Sequence, residues 1–234
     1  MRRHLDSSNA AQTSQTVKGG LDLAVKLLTV WPYVDRLPGL DLLRLLAVSP
    51  ITATYEHPRG GNIIDVLESS IHEKQPPAEN HVMMAIRAFT NLFESTEGRR
   101  LALREFGKVQ EIVASSIADT TQNRNLLVAI TTLYINYAVL FSSTEEQVTD
   151  SSTSDYAVPM LDLLSKILQT QNDSEVIYRA LVATGTLVHG LDDEVRTAAK
   201  EVYDIPGAVR SAASKAMDPR IKNVASEIDA LWSA

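Results

Sequence analysis

The chain has 234 residues, of which 44% are hydrophobic and 22% are charged, and it contains no cysteine. Its formal net charge of −7 argues against a general nucleic-acid or anionic-membrane binder, because such proteins usually carry a basic surplus. The lack of cysteine excludes disulfides, thiolate metal sites and cysteine nucleophiles. The first residues lack the apolar stretch of a signal peptide, so we expect a cytoplasmic and nuclear protein.

In chain order, the sequence predicts a polar tail followed by helices alone. Residues 1–18 are rich in Ser, Asn, Gln and Thr, a composition that predicts a disordered tail ahead of one domain over 19–234. Amphipathic segments follow, and each ends at a proline, a glycine or a polar cluster. The predicted helices cover residues 21–30, 40–48, 60–73, 76–93, 98–105, 109–118, 123–141, 156–168, 174–188, 193–202, 206–216 and 219–232. The longest predicted loop is 142–154, and no segment shows strand alternation, so the predicted fold is all-α.

The stretch NRNLLVAITTLYINYAVLF at 123–141 is apolar on every side of a helix. Such a helix is either a membrane span or the centre of a packed helical protein. Polar residues interrupt it, so we interpret it as the central helix of a soluble domain. One of them, Asn136, has no evident reason to be polar.

A weak internal repeat connects the long apolar helices. Related segments are AIRAFTNLF at 85–93, TTLYINYAV at 131–139 and IYRALVATGTLV at 177–188. Asn91, Asn136 and Gly185 occupy similar places in them, about 45 to 49 residues apart. A period of about 40 to 47 residues indicates armadillo or HEAT-like stacking, with a plain helical bundle as the alternative.

Three arginines lie on helix faces that could bind an acidic ligand. Arg44 stands among leucines that cover every side of its helix, and an unpaired buried guanidinium is costly. One interpretation is a local pair with Asp41, three residues earlier, and the helical wheels alone favour it. The other is that Arg44, Arg87 and Arg179 line one concave face that receives a carboxylate-bearing peptide.

Two asparagines leave a similar choice open. Asn91 and Asn136 recur on successive long helices, and an asparagine amide can pair with both the donor and the acceptor of an extended peptide backbone. The alternative is an ordinary hydrogen bond to a neighbouring helix end. The sequence favours neither.

Catalytic and cofactor motifs are absent from the sequence. The five histidines show no HExxH or other metal spacing, and no GxSxG, GxGxxG or Walker motif occurs. The sequence therefore predicts a protein that is not an enzyme and that needs no cofactor or metal.

Four segments together resemble the PUL domain of the phospholipase A2-activating protein family. They are WPYVDRLPGLDLLRLL at 31–46, PAENHVMMAIRAFTNLFESTEGRRL at 77–101, NRNLLVAITTLYINYAVLF at 123–141 and SEVIYRALVATGTLV at 174–188. Their order and spacing match the family over about residues 20 to 232. The resemblance implies about six armadillo-like repeats that form a curved solenoid with a concave groove.

The resemblance also implies a partner, the acidic C-terminal tail of the hexameric AAA ATPase valosin-containing protein. Arg44 and Arg179 match the two groove arginines of the family, and Asn136 matches its central-helix asparagine. Arg87 and Asn91 are second-rank candidates for peptide binding. We expect a monomer that binds neither nucleic acid nor membrane. The alternative is a structural scaffold that binds other modules of its own parent protein.

Overall fold

In the computed structural model the described residues are 2–117, 123–142, 150–190 and 193–232. Every regular element among them is a helix, so the predicted all-α class is confirmed. The helices are α1 (Arg2–Val30), α2 (Leu37–Leu46), α3 (Pro50–Ala53), α4 (Ile63–His72), α5 (Glu79–Leu92), α6 (Thr96–Arg104), α7 (Phe106–Ser116), α8 (Arg124–Ser142), α9 (Asp150–Thr170), α10 (Ser174–His189), α11 (Asp193–Glu201), α12 (Ile205–Lys215) and α13 (Pro219–Leu231). A short 3₁₀ turn, Tyr33–Asp35, joins α1 to α2.

The first helix is longer than the sequence predicted. It begins at Arg2, where the sequence predicted a disordered tail over 1–18. The side chains of residues 12–16 are exposed, so this part of α1 is a solvated helix without core contacts. The segment contains Ala, Gln and Arg, which favour helix, besides the Ser, Asn and Thr residues that suggested disorder. The boundary of the domain at residue 19 stays a prediction.

The loop predicted over 142–154 is wrong at both ends. Helix α8 includes Ser142, and α9 begins at Asp150, while residues 143–149 lie outside the described part. Ser, Thr and Asp composition suggested a loop, but the same residue types are favoured where helices begin. Helix α3 was not predicted because it is only four residues long.

The described chain divides into two compact units, and the first is Met1–Thr121. Within it, α1 packs on α2 and α4, and α2 packs along α5. Helix α5 also contacts α4, α6 and α7, and its Ile86 and Phe89 are fully buried. A capping box between Asn62 and Asp65 begins α4. The core of this unit therefore surrounds α5.

The second unit is Gln122–Ala234. Helices α8, α10 and α13 pack in one row, while α9 packs on α12 and α11. Arg124 pairs with Asp173 at a distance of 2.8 Å, and the hydroxyl of Ser142 donates to the carbonyl of Thr186 at 3.2 Å. The first pair joins the start of α8 to the start of α10, and the second joins the end of α8 to the last turns of α10. The two helices therefore run parallel, as the predicted repeat requires.

Helix α8 is the core helix of this unit. By length and hydropathy it alone, within the described residues, could cross a membrane, but 61% of its most apolar window is buried inside the protein. Leu133, Tyr134 and Tyr137 are almost completely buried, and burial raises the pKa of Tyr137 far above its ordinary value. The helix is apolar all round because neighbouring helices cover it.

Candidate functional site

Arg44 lies in the last turn of α2 and is paired within its own helix. Its Nε donates to Oδ1 of Asp41 at 2.9 Å, and its Nη2 lies 2.7 Å from the same oxygen. Leu40 and Leu43 occupy the buried face of α2. The side chain of Arg44 is 28% exposed, so solvent still reaches the guanidinium. The local pair expected from the sequence is confirmed, and donors of the guanidinium remain for a second acceptor.

Asn91 joins α5 to α2 through the backbone of the same arginine. Its Nδ2 donates to the carbonyl oxygen of Arg44 at 2.8 Å. The last four carbonyls of a helix lack partners within the helix, and Arg44 is in the last turn of α2. The expected alternative, an ordinary bond to a neighbouring helix end, is therefore confirmed for Asn91. Its amide oxygen makes no hydrogen bond within the described part of the chain.

Arg87 lies one helical turn before Asn91, on the same face of α5. The residue is half-buried, and its guanidinium makes no hydrogen bond or ion pair with the described residues. A half-buried cation without an acceptor favours an anionic ligand, since partial burial removes water that would otherwise solvate the charge. Arg87 thus has more unused donors than Arg44.

Arg179 on α10 is held from two sides in the second unit. Its Nε donates to Oε1 of Glu175 at 2.7 Å, and its Nη1 donates to Oγ1 of Thr132 on α8 at 2.9 Å. The Thr132 hydroxyl in turn donates to the carbonyl of Val128 at 2.6 Å. Two fixed bonds orient the planar guanidinium while its side chain stays 33% exposed. An oriented, part-exposed arginine is suited to pairing with a carboxylate.

Asn136 lies one turn after Thr132 on the same face of α8. Both residues are half-buried, whereas Leu133 and Tyr137 beside them are buried. Val139, three residues further along, is 54% exposed. This strip of α8 therefore carries one polar and one exposed apolar side chain in the two turns that follow Thr132.

Sequence reasoning missed Arg220 on α13. Its guanidinium carbon lies 4.6 Å from the ring centre of Tyr178, and its Nη2 lies 3.7 Å from Oε2 of Glu175. Asp218, the N-cap of α13, pairs with it at 2.7 Å. The hydrogen bonds from the side chain and the backbone of Arg220 hold the pKa of the Asp218 carboxyl below its usual value. No sequence signal connects Arg220 to α10, because only helix packing brings them together.

An apolar cavity of about 320 Å³ lies between α10 and α13. Val182 and Thr186 line it from α10, and they continue the helix face that begins with Arg179. Gly185 allows the close approach of α13, because a Cβ at that position would lie 3.0 Å from Cγ1 of Ile228. Along this face of α10, the Arg179 guanidinium is thus followed by the mainly apolar surface of the cavity.

The five predicted peptide-binding residues fall into two groups, one in each unit. In the first unit Asn91 on α5 bonds the backbone of Arg44 on α2, and Arg87 lies one turn before Asn91. In the second unit Arg179 on α10 bonds Thr132 on α8, and Asn136 lies one turn after Thr132. Guanidinium and amide groups of this kind can pair with carboxylates and with peptide backbone. Within the described residues no group of three or more histidine or acidic side chains is arranged to hold a metal ion.

Comparison with known proteins agrees with the resemblance noted from the sequence. The chain is 27% identical over 182 residues to the phospholipase A-2-activating protein of Xenopus laevis, covering 74% of this chain and 21% of that relative. It is 24% identical over 221 residues to the ubiquitin homeostasis protein lub1 of Schizosaccharomyces pombe, covering 92% of this chain and 28% of that relative. It thus spans less than a third of either relative. The family model of the PUL domain matches residues 3–227, and the chain therefore belongs to the PUL domain family.

Proposed function

We propose that this chain is a non-catalytic peptide-binding adaptor domain in ubiquitin-dependent protein degradation, working in the cytoplasm and nucleus. Its proposed ligand is the acidic C-terminal tail of the hexameric AAA ATPase valosin-containing protein. The name of the lub1 relative, a ubiquitin homeostasis protein, supports the pathway. The observation that carries the proposal is that Arg44 and Arg179 each keep a part-exposed guanidinium, at the two positions that the family resemblance marks.

The chemistry of these arginines supports an acidic ligand. Each guanidinium uses some of its donors on a carboxylate of its own helix and keeps others for a second acceptor. Arg87 adds a cation without an acceptor among the described residues. The whole chain carries a net charge of −7, so an acidic tail is bound through these local cations rather than through the overall charge.

Calorimetric titration with a synthetic peptide of the ATPase's last ten residues tests the proposal. We expect saturable binding that weakens between low and high salt, because screening reduces charge-assisted contacts at a part-exposed site. A peptide of the same composition in scrambled order, and one with each aspartate replaced by asparagine, serve as controls. Equal binding of all three peptides, or no heat at high peptide concentration, would overturn the proposal.

The rival function is a scaffold that binds other modules of its own parent protein. The intrachain pairing of Arg44 with Asp41 and of Arg179 with Glu175 is an observation that favours it, since paired arginines also serve structure alone. The scaffold function predicts no affinity for the ATPase tail. It predicts affinity for the parts of a relative's chain that lie outside the aligned region.

A further inference from the structure

The carboxylate of Glu175 lies between two arginines from different helices. Its Oε1 accepts the hydrogen bond from Arg179 at 2.7 Å, and its Oε2 faces Nη2 of Arg220 at 3.7 Å. Arg179 belongs to α10 and Arg220 to α13. Charge-assisted pairs between guanidinium and carboxylate are among the strong hydrogen bonds in proteins, so two guanidiniums that face one carboxylate can bind it specifically. Here the occupant comes from the chain itself.

Both arginines are held in place by groups other than Glu175. Thr132 fixes Nη1 of Arg179, while the ring of Tyr178 and the carboxylate of Asp218 fix Arg220. The two cations would therefore keep their positions if the Glu175 side chain turned away. Glu175 is 28% exposed, and a part-exposed ion pair of this kind stabilises a protein only weakly. A second carboxylate can thus compete for the same place.

We propose that Arg179 and Arg220 form one carboxylate-binding site, which Glu175 fills in the free chain and a ligand carboxylate fills in the complex. The ligand class is an acidic side chain or the terminal carboxylate of an extended peptide. The identity of that peptide rests on the proposed function, but the site itself does not. Arg220 becomes a binding residue, and Glu175 becomes an internal competitor that weakens binding.

Substitutions at the site have opposite expected effects on binding of the ATPase tail peptide. Glu175→Gln removes the competing charge and keeps the shape, so the peptide binds about threefold tighter. Arg220→Gln removes one of the two guanidiniums that would face the ligand carboxylate, so the peptide binds about threefold more weakly. Glu201→Gln on α11 and Arg210→Gln on α12 make the same charge changes elsewhere in the second unit and serve as matched controls. Circular dichroism and melting confirm that each variant is folded.

A probe that does not depend on the ATPase tests the site separately. In ¹⁵N-labelled full-length chain, the Nε–H signals of Arg179 and Arg220 are followed during titration with acetylated tetraglutamate. Both signals should shift together, and they should saturate at a lower concentration in Glu175→Gln. Shifts at Arg179 alone, or none at either arginine, would overturn the proposal.

The two sets of data separate the two proposals. If the tail peptide binds and Arg220→Gln behaves like Arg210→Gln, the proposed function stands and the two-arginine site fails. If the tail peptide does not bind but tetraglutamate shifts both arginine signals, the site stands and the partner is wrong.

Discussion

Nη1 of Arg179 donates a hydrogen bond to the hydroxyl of Thr132, 47 residues earlier in the chain, and so joins α10 to α8. The same separation of 47 residues connects Asn91 to the backbone of Arg44, which joins α5 to α2. Each bond therefore connects two packed helices that lie far apart in the sequence. Residues proposed to bind the ligand thus also contact a neighbouring helix.

Charge reversal at the two principal arginines should remove binding and leave the fold intact. Arg44→Asp and Arg179→Asp each replace a charge-assisted pair, worth about 1.5 to 3 kcal/mol, with repulsion of the acidic ligand. We expect the affinity for the ATPase tail peptide to fall at least tenfold in calorimetric titration. Helicity and melting temperature should stay close to those of the natural chain.

Arg210→Asp is the matched control for these variants, since Arg210 is 62% exposed and lies on α12. It should bind the peptide like the natural chain. If Arg44→Asp unfolds the protein instead, Arg44 is structural and its assignment to the binding site is wrong.

Thr132→Val tests whether orientation of Arg179 matters for binding. Valine keeps the size of threonine but cannot accept the hydrogen bond from Nη1, so the guanidinium loses one of its two fixed contacts. A lost hydrogen bond of this kind is worth about 0.5 to 1.5 kcal/mol, and we expect a corresponding loss of peptide affinity. Thr170→Val is the control, since that hydroxyl bonds its own helix at Lys166 in the same manner. Equal affinities of the two variants would contradict the prediction.

Asn91→Ala should destabilise the first unit, because it leaves the terminal carbonyl of Arg44 on α2 without its bond from α5. The expected loss is about 1 kcal/mol in the free energy of unfolding, measured by urea denaturation. Asn80→Ala, near the start of the same helix, provides a comparison at a position with an exposed side chain. A loss of peptide binding with unchanged stability would show instead that Asn91 contacts the ligand.

A network around Lys108 should make the first unit sensitive to acid. Lys108 binds the carboxylates of Asp65 and Glu105, and so connects α4 to α7. Burial by itself raises the pKa of both carboxyl groups. The bonds and charge of Lys108, together with the backbone N–H of Asn62 at Asp65 and Arg104 at Glu105, outweigh burial and leave both pKa values below the ordinary ones. Groups with lowered pKa values in the folded state stabilise it above their unfolded pKa of about 4, and this contribution is lost as the pH falls through the folded values.

Lys108→Met should therefore lower stability at pH 7 by about 0.5 to 1 kcal/mol, discounted because the lysine is 40% exposed. The difference from the natural chain should shrink at pH 3, as urea denaturation at both pH values would measure. Lys166→Met removes a more exposed pair with Asp162 and should have a smaller effect at both pH values. A constant difference between pH 7 and pH 3 for Lys108→Met would contradict the role of the two carboxylates.

The sequence by itself determined the all-α class and the approximate positions of most helices. Helix periodicity and helix breakers are local properties, so the apolar segment 123–141 was predicted to be a central core helix, and its Leu133 and Tyr137 are buried. The pair of Arg44 with Asp41 was also within reach of sequence reasoning, because residues three apart on a helix are neighbours. Helix α1 begins inside the segment predicted as a disordered tail, because composition alone does not distinguish a solvated helix from a disordered segment.

Only the tertiary structure decided which groups meet across helices. The bonds from Asn91 to Arg44 and from Arg179 to Thr132 depend on how helices that are distant in the sequence pack side by side. The position of Arg220 over Tyr178 depends in the same way on the approach of α13 to α10, which Gly185 allows. A helical wheel gives the direction of a side chain about its own axis. It carries no information on the neighbour that lies in that direction, and that neighbour decides whether an arginine is paired, oriented or open.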